Sequence, residues 1–137
     1  MRDVLITAAL MAVTFSAATR AASVDEATWK RVGRLEAGTK LTISVNGAAP
    51  VERYLVQATD TELVVLNLSS TELPKRQLLN MTRDNPAWMA GTAKTTYRDG
   101  AVRVGPDGVF EKDKKVAELG AVVEHLARDS VSDAKKA

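Results

Sequence analysis

Between Gly38 and Lys40 the apolar pattern of this chain changes its period. Before that point Trp29, Val32 and Leu35 recur every three residues, which aligns them along one side of a helix. After it Leu41, Ile43 and Val45 alternate with Lys40, Thr42 and Ser44, the pattern of a strand with one face in a core. No single element satisfies both periods, so the chain must leave a helix and enter a sheet here. Gly38 suits the stop, since glycine adopts the left-handed conformation that ends helices. At the other end Ser23-Val24-Asp25-Glu26 has the S-x-x-E form of a capping box, with Ser23 as the N-cap.

Further turn signals punctuate the chain beyond Val45. Asn46-Gly47 is a strong hairpin turn because both residues tolerate positive φ. A second strand is expected over Val51–Ala58, and Thr59-Asp60-Thr61 turns the chain. Leu63 to Leu68 reads as a third strand, apolar on both faces and hence central. After Ser69-Ser70-Thr71, residues Leu73 to Met81 read as a short edge strand, with Pro74 where its missing N–H faces no partner. One helix followed by closely spaced antiparallel strands outlines a mainly β (α+β) fold, a small Sm-like or SH3-like barrel over residues 22–81.

The segment Trp29-x-x-Val32-x-x-Leu35-x-x-Gly38-Thr39-x-Leu41-x-Ile43-x-Val45 resembles the opening of small exported bacterial Sm-like barrel proteins, and Leu73-Pro74-Lys75-x-x-Leu78-x-x-Met81 is similar to a later strand of theirs. The resemblance spans roughly residues 28–82. It rests on core positions and turns, so it implies a fold and not an activity. Proteins of this kind often pair edge strands into rings, so the resemblance also implies that a homo-oligomer is possible. Their second strand often bends at a glycine; the corresponding residue here is Arg53, so the strand must bend less or bend elsewhere.

The second half, residues 82–129, reads as a connector, a hairpin and a C-terminal helix packed on the barrel. Thr82 to Ala93 is the connector, with Trp88 and Met89 packed down. Lys94 to Tyr97, a turn at Asp99-Gly100, and Ala101 to Val104 form the hairpin, with a further turn at Gly105–Gly108. A helix is expected over Lys114–Arg128, capped by Asp113, with Val116, Leu119, Val123 and Leu126 as its apolar stripe. Residues 130–137 read as a flexible tail.

Ahead of this domain, residues 1–21 carry Arg2, an uncharged and mostly apolar run from Val4 to Phe15, and small residues before Ala22. That is the layout of a signal peptide, and the run is too short for a membrane span of about 20 residues. The expected location is periplasmic or secreted, in the bacterial cell envelope. Removing residues 1–21 leaves 17 Lys+Arg against 16 Asp+Glu, because Arg2, Arg20 and Asp3 are lost from the chain's 19 and 17. So even a balance disfavours nucleic acid, which needs surplus cations to displace counterions.

The chain has no cysteine and one histidine, which excludes disulfides, thiolate chemistry and a multi-histidine metal site within one chain. His125, placed with Glu118 and Asp129 on the expected helix, has no nucleophile tied to it. Asp60, Glu62, Asp84, Asp107, Glu111 and Asp113 are scattered, and no phosphate-binding or nucleophile-elbow motif occurs. No catalytic residue, cofactor or metal is expected. The candidate interaction surface is Lys30, Arg31, Arg34, Lys75, Arg76 and Trp88. The reading this supports is a non-enzymatic binding module for a protein or envelope component. An Sm-type RNA-binding ring on the five cations and a small Asp/Glu hydrolase are the alternatives.

Overall fold

The computed structural model describes residues 23–91 and 95–137; the expected signal segment and Lys94 lie outside the described residues. The element order is α1 (Glu26–Gly33), β1 (Lys40–Val45), β2 (Val51–Ala58), β3 (Glu62–Leu66), α2 (Lys75–Asp84), α3 (Pro86–Ala90), β4 (Tyr97–Asp99), β5 (Val102–Gly105), β6 (Gly108–Glu111), β7 (Lys114–Ala117), α4 (Leu119–Val122), β8 (Val123–Ala127) and β9 (Val131–Lys136). A 3-10 turn, Arg128–Ser130, joins β8 to β9. All strand pairs are antiparallel: a five-stranded sheet ordered β8-β3-β2-β1-β9, and a four-stranded meander β4-β5-β6-β7.

Helix α1 is capped by Asp25, whose side chain accepts from the Thr28 N–H at 2.8 Å, two residues later than the Ser23 cap expected. Both are good N-caps, and the register that turns Trp29 and Val32 into the core decides between them. Those two side chains join Leu41, Ile43, Leu55, Leu63, Val65, Val131 and Ala134 in one core, which defines the inner face of the sheet. The second core takes Val56, Val64, Leu66 and Val123 from the outer face, against Leu78, Met81 and Met89 of the helices and Val102, Val104 and Val109 of the meander.

Strand β3 serves both cores, with Leu63, Val64, Val65 and Leu66 all fully buried. Strand β2 also serves both cores, Leu55 the inner and Val56 the outer, and carries a bulge: Leu55 pairs with Val65 and Gln57 with Val64, leaving Val56 as the extra residue. The bend that a glycine at position 53 would allow is thus made three residues later. The two sheets are both open; no closed barrel forms.

Three expectations about local structure are corrected. Leu73 to Met81 is not an edge strand, because Lys75–Asp84 is helical. Leu78, Met81 and Thr82 lie on one face of that helix, and Pro74 sits just before it, where a missing N–H costs nothing. The connector beyond it contains α3, capped by Asn85 with Pro86 at its first position. Lys114–Arg128 is not a C-terminal helix: it divides into β7, the one-turn α4 and β8. Its apolar residues serve a sheet, with Val123 turned to the outer core and Leu126 to the inner one. Nor are residues 130–137 a flexible tail, since β9 pairs with β1 and buries Val131 and Ala134.

Strand β9 carries a stability prediction. Val131→Ala should lower the unfolding free energy by about 2 kcal/mol, the cost of deleting two buried methyl groups and leaving a void. Urea denaturation of the variant measures it; an unchanged midpoint would mean that residues 131–136 do not hold the sheet.

Candidate functional site

The cations singled out from the sequence do not form one patch. Lys30, Arg31 and Arg34 are exposed on or just after α1, whose buried side belongs to the inner core. Lys75 and Arg76 open α2, whose buried side belongs to the outer core. Lys30 approaches Glu26 at 3.9 Å. Trp88 is half-buried: its ring meets Tyr97 at 4.8 Å between centroids, and its indole N–H donates to Thr95 Oγ1 at 2.6 Å. A tryptophan so held packs α3 against β4.

The other candidates are equally dispersed. His125 lies on β8 and faces Glu62 of β3, Nδ1 to Oε2 3.4 Å, with its side chain 45% exposed. Neither Glu118 nor Asp129 is its partner, because a strand and not a helix carries it. Among the described residues no group of three His, Asp or Glu side chains is placed to hold a metal ion. No helix of the described residues is long and apolar enough to cross a membrane.

The structure brings together a set that the sequence does not single out. On the open side of the five-stranded sheet, the β1–β2 hairpin and β8 enclose a groove of about 200 Å³. Ile43, Val45, Ala48, Ala49, Val51 and Leu126 give it apolar walls. Val51 is the one exposed large hydrophobic residue among those described. At the groove Arg53 Nε donates to Glu124 Oε1 at 2.8 Å, while Arg53 Nη1 donates to the Glu52 carbonyl, also at 2.8 Å. The pair is largely sheltered, with 17% and 28% of the two side chains exposed. Arg53 was legible as a departure from the resemblance. Glu124 was hidden inside what reads as a helix.

A second cavity of about 210 Å³ lies on the outer face, lined by Lys40, Glu52, Tyr54, Leu68, Ser69 and Lys75. Lys40 and Glu52 pair across β1 and β2 at 3.1 Å. Glu52 raises the Lys40 pKa above its ordinary value. Each of the two cavities holds a single carboxylate, so neither offers the paired acid and base of a carboxylate hydrolase.

Surface electrostatics fasten the elements around the inner core. The Thr28 N–H holds the Asp25 carboxyl below its usual pKa, and a hydrogen bond from Arg128 does the same for Glu26. Arg128 also lies over the Trp29 ring, 5.0 Å from its centroid, and donates to the Asp60 carbonyl at 3.3 Å. It therefore ties the 3-10 turn to α1 and to the β2–β3 turn. In the meander Arg103 lowers the pKa of Asp107 by the same kind of contact and stacks 4.0 Å from the Phe110 centroid.

No family model, curated protein or solved structure matches the chain.

These contacts predict two outcomes. Carboxyls with lowered folded-state pKa values contribute stability that is present above the unfolded values of about 4 and lost as pH falls through the folded values. The urea midpoint should therefore drop below pH 4, and Glu26→Gln should make that decline shallower; an identical acid profile would show that the Arg128 contact adds nothing. Glu124→Ala leaves the sheltered Arg53 without its partner and should cost about 1–3 kcal/mol. A double-mutant cycle with Arg53→Ala isolates the pair.

Proposed function

We propose that this chain is an exported, non-enzymatic interaction module of the bacterial cell envelope, built on an Sm-like or SH3-like sheet. Two features support the fold reading. With residues 67–122 set aside, the five strands in chain order stand 5-1-2-3-4 in the sheet, and a 3-10 turn precedes the last. The sequence from Trp29 to Val45, which carries the resemblance, forms α1 and β1. The signal-like segment 1–21 supports the location.

The observation that carries the functional reading is the groove at Arg53 and Glu124. It joins apolar walls to one positioned donor–acceptor pair, and the described residues that line it include no histidine, serine or second carboxylate. Such a surface holds and orients a partner without acting on it. The scattered cations favour no nucleic-acid reading.

The test is made in the native envelope. A photo-crosslinking amino acid at position 51 should capture a discrete partner, and one at exposed Arg31 should not. The native chain, sequenced from its N-terminus after fractionation, should begin near Thr19 or Ala22. A full-length chain in the cytoplasm, or equal capture from both positions, would overturn the reading.

A further inference from the structure

The register of β3 and β8 fixes which way the backbone of β8 points. The Arg128 N–H donates to the Thr61 carbonyl at 2.8 Å, and the Asn67 N–H donates to the Val122 carbonyl at 2.8 Å. Both pairs keep the offset at which Val64 faces His125. In an antiparallel ladder hydrogen-bonded and non-hydrogen-bonded pairs alternate. Glu124 and Leu126 therefore turn their N–H and C=O groups to β3, while Val123, His125 and Ala127 turn theirs outward, away from the sheet.

Part of that edge is satisfied locally. The Val123 N–H donates to the Leu119 carbonyl, and the Ala127 carbonyl accepts from the Ser130 hydroxyl at 2.7 Å. Among the described residues a short ladder stays open: the Val123 carbonyl, both groups of His125 and the Ala127 N–H. His125 and Ala127 are exposed. The side chains of Glu124 and Leu126 lie on the inner face, where they form one wall of the groove. A strand laid along β8 would place the residue opposite His125 on the outer face. The residues on either side of that one would face Leu126 and Glu124, toward the groove.

We infer that the β8 edge and the adjoining groove bind an extended peptide segment of a partner protein, added as a further strand, with an aliphatic side chain beside Leu126 and Val51 and a donor side chain two residues away at Glu124. Only an extended backbone offers donors and acceptors at the spacing of the open ladder. The apolar walls take the aliphatic group. Glu124 gives one oxygen to Arg53 and keeps Oε2, which takes no hydrogen bond among the described residues, for a lysine or hydroxyl of the partner. This inference rests on the interaction-module reading and names its partner's chemistry.

The β9 edge of a second copy is a poorer occupant. The outward groups of β9 belong to Val131, Ala134 and Lys136; the side chains of the first two are in the inner core, and the Val131 carbonyl already accepts from the Val24 N–H at 3.0 Å. Antiparallel pairing of β9 of one copy with His125 of another would set the inner face of one sheet against the outer face of the next.

The experiment follows amide resonances of the chain from Ala22 to Ala137 during titration with the capped peptide Ac-Ser-Leu-Thr-Lys-Ser-NH2 and its reversed sequence. One of the two should give saturable shifts centred on the His125 and Ala127 amides and the Val51 methyls. In the antiparallel direction, proline at the central threonine should abolish them, and in either direction aspartate at the leucine and lysine should weaken binding at least about tenfold. His125→Pro removes an outward N–H without touching the β3 ladder and should abolish binding; Val51→Asp, which leaves all backbone groups in place, should weaken it about tenfold. Shifts that persist in both variants, no saturable shift with either peptide, or a dimer that Val51→Asp or His125→Pro makes monomeric would overturn the inference. If the peptides fail while position 51 still captures an envelope partner, the inference falls and the interaction-module reading stands.

Discussion

The double burial of β3 is the constraint on which the rest of the molecule depends. Four consecutive residues, Leu63 to Leu66, are fully buried, and alternation sends two to each side of the sheet. A strand that is apolar on both faces has no solvent-facing side, so something must cover each one. Helix α1 and the curl of β1 and β9 cover the inner face. The segment between β3 and β8, comprising α2, α3 and the meander, covers the outer face. The sheet and its insertion are therefore one cooperative structure.

That requirement also decides where the surface is left unfinished. The outer core gathers over β3, β8 and the far half of β2, so it leaves Lys40 of β1 and Glu52 of β2 exposed, where they border the second cavity. On the inner face the curl stops short of closure. Arg53 of β2 reaches Glu124 of β8 over the intervening β3 and ties the two strands together beside the groove. Burying both charges completely would cost more than their attraction returns unless every donor and acceptor were matched. A partly open groove lets them keep some water.

The Val56 bulge links these features. Leu55 and Val56 point into different cores by ordinary strand alternation, and the extra residue in β2 supplies a bend that helps the sheet curl around α1. Glycine at the expected position would have bent the strand without a side chain at the groove. Arginine there moves the bend inward and places a guanidinium at the opening.

How much of this was legible from the sequence depends on the range of the forces involved. The period change at Gly38, the Asn46-Gly47 turn, strands β1 to β3, the turns at Gly100 and at Gly105–Gly108, and the core role of Trp29 are set by side-chain alternation and by residues that tolerate positive φ, which act within a few positions. The helix over Lys75–Asp84 and the strands β8 and β9 were not legible. Leu78 and Met81 fit either a helix or an edge strand in so short a run, and the residues from Val116 to Leu126 trace a helical stripe as well as two strands. Contacts distant along the chain resolved those ambiguities: Val123 against Leu66, and Ala134 against Ile43. Local residue pattern was enough for a helix-then-sheet order, a β-rich class and the identity of most core side chains. Long-range packing was needed to keep the sheet open and to bring Arg53 to Glu124. It was also needed to turn His125 outward on β8, because strand pairing across long loops sets register and no local signal encodes it.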